Sequence, residues 1–272
     1  MKLKILCPQW GHEHLDLEAF FVKVKSAGYD GVDMPIPENS IVRSRLIRLL
    51  DEYGLSIVAH QHQANGASIG AFCKSFQYYL NIALECNPIL INSHSGRDYF
   101  TLDEQLLVID TAQNFSAEKN SKVAHETHRG RIGFGPGNAK QVFDARPAMQ
   151  ITADFSHWVC VTESFLENFQ EVLEEGIKRS AHIHARVGFI EGPQVPNPAN
   201  PYWQKETAFF LQLWKRILDM QQTAGTGVFT ATPEFGPPPY MWTNAEDNKP
   251  VANQWEVNVY MKDLLRQTFN EY

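Results

Sequence analysis

Four short segments lead from apolar residues into a residue type that binds metals: KVAHE (122–126), QITAD (150–154), AHIH (181–184) and VFTATPE (228–234). They end at Glu126, Asp154, His184 and Glu234, of which the first three lie 28 and 30 residues apart and the fourth 50 residues later. A βα unit with its helix occupies about that first spacing. The pattern therefore predicts successive parallel strands whose carboxyl ends bring these side chains to one rim.

The same alternation of strand-like and helix-like segments extends over the whole chain. Short apolar runs predict eight strands, at 3–8, 31–35, 55–62, 87–94, 122–127, 150–155, 180–186 and 228–235. Helical spacing of apolar residues predicts a helix after each, at 16–27, 40–53, 68–86, 101–120, 138–148, 164–179, 203–223 and 253–270. Strict alternation favours a parallel sheet, and eight units favour a closed (β/α)8 TIM barrel over an open doubly wound sheet.

Size, charge and cysteine usage narrow the class of protein. The chain has 272 residues, near the ~250 of such barrels, and no segment with a linker's composition, so we expect one domain over 1–272. Its net charge of -7 argues against a nucleic-acid partner. No apolar run has the length of a membrane span. The four cysteines form no CxxC pair, which is typical of reduced thiols and favours a cytoplasmic location.

Strand periodicity indicates which side chains face the barrel interior. Residues two apart share a face of a strand. His182, His184 and Arg186 therefore lie on one face, opposite alternating apolar residues. Asp154 and Glu234 each share a face of their strand with threonine in the same way. We expect these polar faces to point inward at the mouth.

Three carboxylates and one imidazole at the ends of four consecutive strands predict a site for one divalent cation. Carboxylate oxygen suits hard cations, and an imidazole shifts the preference toward transition metals, so Mn2+, Mg2+, Co2+ and Zn2+ are the candidates. The predicted ligands are Glu126, Asp154, His184 and Glu234. The alternative is that each is an ordinary polar group at a solvated rim.

Five strings in the chain resemble the xylose isomerase-like barrel superfamily: GYDGVDMP (28–35), HETH (125–128), DFSHW (154–158), HIHAR (182–186) and PEFGP (233–237). That superfamily includes sugar isomerases, ketose 3-epimerases, inosose dehydratase and endonuclease IV. The resemblance covers nearly the whole chain. It implies a single metal held by Glu126, Asp154, His184 and Glu234, and it is the reason for choosing His184 over His182.

The resemblance also implies substrate contacts around the metal. His157, three residues after Asp154, matches a histidine that binds a substrate hydroxyl in the epimerases. Arg186 departs from the epimerase pattern, in which the arginine lies further along the chain. We interpret Arg186 as a contact to a substrate oxygen, with a salt bridge at the rim as the alternative.

Further residues at the predicted mouth complete the candidate set. We expect His62 and His94 to contact sugar hydroxyls, although they also resemble zinc ligands of endonuclease IV. Against the nuclease, the strand-seven His-x-Asp motif of that branch is absent, because Arg186 stands where the acid would be. Trp10, just after the first strand, is the candidate for stacking on a sugar face.

Together these features predict a metal-dependent sugar isomerase or epimerase that forms an enediolate. Glu126 and Glu234 would transfer the proton, one removing it and the other returning it. Alternatives are a dehydratase, a zinc-dependent nuclease and a non-catalytic sugar binder. We expect a small sugar as the partner, with a homo-oligomer left open. The sequence shows no concentrated Lys/Arg site for a sugar phosphate, which favours a free sugar or a small polyol acid.

Overall fold

Eight parallel strands close into a barrel in chain order in the structure, a computed structural model that describes residues 1–272. The strands are β1 (Lys2–Pro8), β2 (Gly31–Met34), β3 (Ser56–Gln61), β4 (Ile91–Ser93), β5 (Val123–Glu126), β6 (Ile151–Ala153), β7 (Ser180–His184) and β8 (Val228–Thr232). The last strand pairs with the first, from Lys2 opposite Val228 to Ile5 opposite Ala231. The predicted closed TIM barrel is therefore confirmed, and the open sheet is excluded.

Nine α-helices surround the barrel. They are α1 (Leu17–Ser26), α2 (Ser40–Tyr53), α3 (Ile69–Leu84), α4 (Leu102–Lys119), α5 (Pro136–Ala145), α6 (Phe155–Thr162), α7 (Gln170–Arg179), α8 (Gln204–Thr223) and α9 (Gln254–Thr268). Short 3-10 turns precede α7 and α8, at Glu167–Phe169 and Pro201–Trp203. None of the helices combines the length and the apolarity that a membrane crossing requires.

Side-chain caps explain why several helices begin where they do. Asp16, Asn39 and Ser68 each accept a hydrogen bond from a backbone N–H in the first turn of α1, α2 and α3. At α4, Thr101 and Glu104 form a reciprocal capping box. These bonds satisfy amide groups that have no partner within the helix, and each contributes about 1 kcal/mol. The starts of these four helices, predicted from the spacing of apolar residues, agree with the structure to within one position.

Helix α6 differs from the sequence prediction. The predicted strand 150–155 ends at Ala153, and Phe155 already belongs to a helix. Asp154 caps that helix by accepting a hydrogen bond from Ser156 N at 3.2 Å. The predicted helix 164–179 is also shorter, because α7 begins only at Gln170. The apolar run after Asp154 carries β-branched and aromatic residues that favour strand, and the cap overrides this preference.

Two layers fill the barrel interior. A small cluster of buried apolar side chains, Leu6, Val58, Leu90 and Ala124, lies separate from the main core of 59 residues between the sheet and the helices. Two residues further along β3, β4 and β5 are His60, Asn92 and Glu126, which share the same inward face. The interior therefore changes from apolar to polar and ionisable side chains toward the carboxyl ends of the strands, where barrel active sites lie.

Candidate active site

The structure brings the four predicted metal ligands together at the barrel mouth. Glu126, Asp154, His184 and Glu234 are all buried, and each offers one ligand atom within 4.8 Å of the others. Glu126 and His184 end β5 and β7, whereas Asp154 and Glu234 lie one or two residues beyond β6 and β8. The cluster thus depends on the parallel alignment of four strand ends.

His184 is the central member, because its two ring nitrogens face different partners. Nδ1 lies 3.0 Å from Glu234 Oε2 and 3.3 Å from Glu126 Oε1. Nε2 lies 3.1 Å from Oδ2 of Asp33. Burial alone would lower the pKa of His184, but Glu234 and then Glu126 raise it well above its ordinary value. The imidazole therefore acts as a shared positive partner for the carboxylates whenever no other cation is present.

Asp33, at the mouth end of β2, was not predicted from the sequence as a site residue. Its Oδ2 accepts hydrogen bonds from Thr232 Oγ1 at 3.0 Å and from the His184 ring, and it lies 3.3 Å from His182 Nε2. Burial would raise the pKa of Asp33, but its bonds with His182 and then His184 lower it well below the ordinary value. The signal in the sequence was a carboxylate at a strand end, within GVDMP, among apolar neighbours.

His182 occupies the layer below His184. Its Nδ1 lies 2.9 Å from the carbonyl oxygen of Thr230 and 2.6 Å from the hydroxyl of the same residue. It belongs to a second possible ligand group with Asp33 and His184, but it is not part of the four-residue cluster. The geometry thus separates the two histidines that strand periodicity alone left equivalent.

Glu126 is held by partners from β4 and the residue just after it. Its Oε2 accepts a hydrogen bond from Asn92 Nδ2 at 2.9 Å and lies 3.0 Å from His94 Nε2. Burial would raise the pKa of Glu126, but His184 and His94 lower it well below its usual range. Asn92, like Asp33, was not anticipated from the sequence. Glu126 is therefore an ionised carboxylate that is fixed on one oxygen and free on the other.

Asp154 uses both carboxylate oxygens. Oδ1 accepts from the backbone and hydroxyl of Ser156, and Oδ2 accepts from the guanidinium of Arg186. Arg186 also donates to His157 Nε2 at 2.9 Å, and its charge lies 5.0 Å from the ring centre of Tyr240. Burial raises the pKa of Asp154 to about 6, and Arg186 opposes that rise. Arg186 is buried with its partner, so it is not a solvated salt bridge at the rim.

Histidines from several strands form a continuous group beside the four ligands. The rings of His60 and His94 lie 4.5 Å apart, and both could bind an ion together with Glu126. His128 and His157 lie 4.0 Å apart and form a similar group with the same glutamate. Burial is the largest cause that lowers the pKa of His60, His128 and His157. These three rings are therefore neutral and can accept hydrogen bonds or bind a metal.

A cavity of about 380 Å³ opens above the cluster. Its lining includes Glu234, His62, His94 and Trp10, whereas Glu126 and Asp154 are buried and do not line it. Trp10 packs edge-on against Tyr240, with ring centres 5.0 Å apart and an interplanar angle of 84°. Of the predicted substrate contacts, Arg186 also lines the cavity, while His157 is buried behind it.

Solved structures share this architecture. The chain matches a xylose isomerase domain-containing protein from Salmonella typhimurium at 14% identity and a TM-score of 0.63, covering 98% of this chain and 97% of the other. It matches a D-allulose 3-epimerase from Methylomonas sp. at 13% identity and a TM-score of 0.62, covering 98% and 97%. It matches endonuclease IV from Thermus thermophilus at 13% identity and a TM-score of 0.59, covering 100% and 99%.

The chain shares the (β/α)8 barrel fold of these solved structures. Comparison with protein-family models gives no match, and comparison with curated protein sequences gives none. Because similarly folded proteins carry an epimerase name and a nuclease name, this fold alone does not select a reaction.

The segment after β8 is fixed in this barrel by three buried or half-buried amide side chains. Asn258 accepts from Phe235 N at 2.9 Å and donates to Phe235 O at 3.0 Å. Gln254 also donates to Phe235 O, at 2.9 Å. Gln194 accepts from Gly236 N at 2.7 Å and donates to Gly236 O at 3.2 Å. These bonds hold the backbone that carries Glu234.

The donor set fits a divalent cation. Glu126 Oε1 and His184 Nδ1 are buried, and neither has a hydrogen bond of acceptable geometry. They lie 3.3 Å apart, and Glu234 Oε2 approaches the same Nδ1 atom. Three carboxylates and a neutral imidazole suit Mn2+, Co2+, Mg2+ or Zn2+. The bond from His184 to Asp33 would leave Nδ1 as the coordinating atom, as is usual for a metal-bound histidine with a carboxylate partner.

Proposed function

We propose that the protein is a divalent-metal-dependent sugar isomerase or epimerase, with a ketose or a related small polyol as substrate and one catalytic domain over residues 1–272. The observation that carries this proposal is the arrangement of Glu126, Asp154, His184 and Glu234 around one point beneath a small-molecule cavity. The similarity to an epimerase structure is compatible with this proposal, but it is a similarity of fold alone.

The proposed site would hold one ion through those four residues. When bound, such an ion polarises a substrate carbonyl and stabilises the negative charge of an enediolate. The carbon next to the carbonyl then loses a proton more readily, so a carboxylate within reach is sufficient as the base.

Glu234 is the better placed of the two proposed proton carriers. It lines the cavity, whereas Glu126 is buried, does not line it, and has one oxygen occupied by Asn92 and His94. We therefore assign proton removal to Glu234. Glu126 is proposed as the second carrier, which epimerisation needs and isomerisation on one face does not.

The remaining residues would bind and orient the sugar. Trp10 offers an aromatic edge and face at the cavity wall, and His62 and His94 offer ring nitrogens to hydroxyl groups. Arg186 and His157, joined by a hydrogen bond, would hold a substrate oxygen beside Asp154. Each of these roles is a proposal from position and chemistry.

Proton exchange tests the proposal directly. Incubated in D2O with Mn2+ and a panel of ketoses, the protein should introduce deuterium at the carbon beside the carbonyl of its substrate, as detected by proton NMR. Glu234→Gln should abolish exchange, whereas the matched control Glu52→Gln, an exposed residue of α2, should retain it. Binding of a sugar without exchange would instead support a non-catalytic binder, and full activity of Glu234→Gln would contradict the assignment.

A zinc-dependent hydrolase is the second candidate, because a specific observation favours it. His60 and His94 with Glu126, and His128 and His157 with Glu126, could each hold a further ion. Metal analysis separates the two candidates. One ion per chain supports sugar chemistry, and three zinc ions per chain support the hydrolase. A dehydratase would use the same four ligands and would be recognised by loss of water from its substrate.

A further inference from the structure

Two arginines from different loops donate to one carbonyl oxygen, and one of them, Arg131, lines the cavity. Arg97, after β4, donates to the carbonyl oxygen of Gly96 at 2.9 Å. Arg131, after β5, donates to the same oxygen at 3.4 Å. The two guanidinium groups, 34 positions apart in the sequence, are thus neighbours of one acceptor. No sequence pattern linked them.

The two loops are held rigidly against each other. Asp98 N donates to Gly130 O at 3.3 Å, and Ile132 N donates to Ser95 O at 3.1 Å. Gly96 has a φ of +59°, and a Cβ at this position would lie 2.6 Å from the Ile132 side chain. Glycine adopts this left-handed φ without strain and leaves room for the Ile132 side chain. The pair of arginines is therefore preorganised by backbone contacts.

Neither arginine has an acidic partner. Their hydrogen bonds go only to the backbone carbonyls of Gly96 and Ala64. Arg129, on the same loop as Arg131, is also outside any ion pair and lies above the Tyr240 ring at 5.1 Å. Every other arginine except the exposed Arg48 forms an ion pair. On a chain with a net charge of -7, three arginines in neighbouring loops that form no ion pair require an explanation.

We propose that Arg97 and Arg131 form a subsite for an anionic oxygen group of the substrate, a phosphate or a carboxylate. Two half-buried guanidiniums that share one carbonyl acceptor repel each other, and an anion bound by both removes that cost. Arg131 lines the same cavity as Glu234, so one small molecule can reach both. The substrate class is then an anionic sugar; of the two classes that the sequence favoured, a free sugar and a small polyol acid, only the acid carries such a group. This inference rests on the proposed function, because it places the anion on that reaction's substrate.

Equilibrium binding tests the subsite without requiring turnover. Wild type, Arg97→Gln/Arg131→Gln and the matched control Arg48→Gln, which removes an unpaired arginine from α2, are titrated calorimetrically with D-fructose, D-fructose 6-phosphate, a ketohexonate and inorganic phosphate. Each titration is done with Mn2+ bound and after removal of metal by EDTA, because phosphate also binds metal ions. Metal affinity and melting temperature show whether each variant is folded.

The expected result is that one anionic sugar binds wild type about 10-fold or more tightly than D-fructose, since charge-assisted hydrogen bonds are worth at least that factor. The double variant loses this advantage, and Arg48→Gln keeps it. Preference for the sugar phosphate or for the ketohexonate identifies the anion. Arg131→Lys, which keeps the charge, should retain part of the advantage.

Three results would overturn the subsite: no anionic sugar binds better than D-fructose, the advantage survives in the double variant, or a short DNA duplex binds better than every sugar through these arginines. The proposed function fails separately. Deuterium exchange on ketoses, together with no anionic sugar binding better than D-fructose, would retain the reaction and remove the subsite. Arginine-dependent anion binding without exchange on any sugar would retain the subsite and contradict the proposed function.

Discussion

Asp33 Oδ2 accepts a hydrogen bond from His184 Nε2 at 3.1 Å, while the other ring nitrogen of His184 faces Glu126 and Glu234. A carboxylate behind a histidine fixes which nitrogen carries the hydrogen and turns the ring toward the ion. The proposed metal site would thus extend one layer deeper than its four ligands.

Asp33→Asn should weaken divalent-cation binding by about 10- to 100-fold, the usual effect of losing such a partner. The amide still fits the space but removes the charge that orients and polarises the imidazole. Titration calorimetry with Mn2+ or Co2+ measures the change. Asp51→Asn, at an exposed position of α2, is the control, and equal affinities for both variants would contradict this role for Asp33.

Asn258→Ala should lower the free energy of unfolding by about 1–3 kcal/mol, because it leaves the buried amide of Phe235 without an acceptor. Gln254 still donates to the Phe235 carbonyl, so only the Phe235 N–H loses its hydrogen-bond partner. Chemical denaturation measures the loss. Gln267→Ala, an exposed change on the same helix, should have an effect within about 0.5 kcal/mol. If both variants have the same free energy of unfolding, the hydrogen bonds of Asn258 do not stabilise the segment that carries Glu234.

Gly236→Ala should displace Trp10, because a Cβ at position 236 would lie 2.1 Å from the indole ring. The expected result is a raised KM for the sugar, since Trp10 is the proposed stacking residue. The melting temperature should change little. Gly137→Ala in α5 meets nothing within 4 Å and should stabilise the protein by about 0.5–1 kcal/mol. An unchanged KM in Gly236→Ala would exclude Trp10 as a substrate contact.

Protonation of His12 should lower the free energy of unfolding in mild acid. Its ring is buried beside Phe20 and Trp255, and burial, followed by Lys23 and His14, lowers its pKa from 6.5 to about 4. Between these two values the unfolded chain binds the proton and the folded chain does not. The free energy of unfolding therefore falls as the pH drops through this window, by about 1–3 kcal/mol.

Denaturation curves from pH 7 to pH 4 test this pH dependence. His12→Gln should flatten the dependence relative to wild type far more than the exposed His14→Gln, because His14 contributes the smallest of the three causes that lower the pKa of His12. Because other buried histidines also titrate, the informative quantity is the difference between each variant and wild type at each pH. Parallel curves for wild type and His12→Gln would show that the burial of His12 is not linked to stability.

The sequence predicted the barrel because its evidence is local and repeated. Each strand is a short apolar run, each helix has a regular spacing of apolar residues, and the order of elements determines the order in the sheet. The same logic located the strand ends, and therefore the positions of Glu126, Asp154, His184 and Glu234. Their convergence needed only the rule that parallel strands end on one side.

What could not be predicted depends on contacts across the barrel. Asp33 stands out in the sequence only as an acid in an apolar strand, and its bond to His184 joins residues on β2 and β7. Arg97 and Arg131 meet because two loops exchange backbone hydrogen bonds. Helix α6 was missed for a different reason: strand-favouring residues follow Asp154, and only the cap shows that the chain turns there.

Asp154 has a double position, as a proposed ligand and as the residue that starts α6. A carboxylate that accepts the Ser156 amide cannot rotate toward or away from an ion without altering the first turn of that helix. Hydrogen exchange at the amide of Ser156 would therefore report occupancy of the site. The start of α6 and the proposed metal site share Asp154, so the binding of an ion at the mouth would alter a helix on the outside of the barrel.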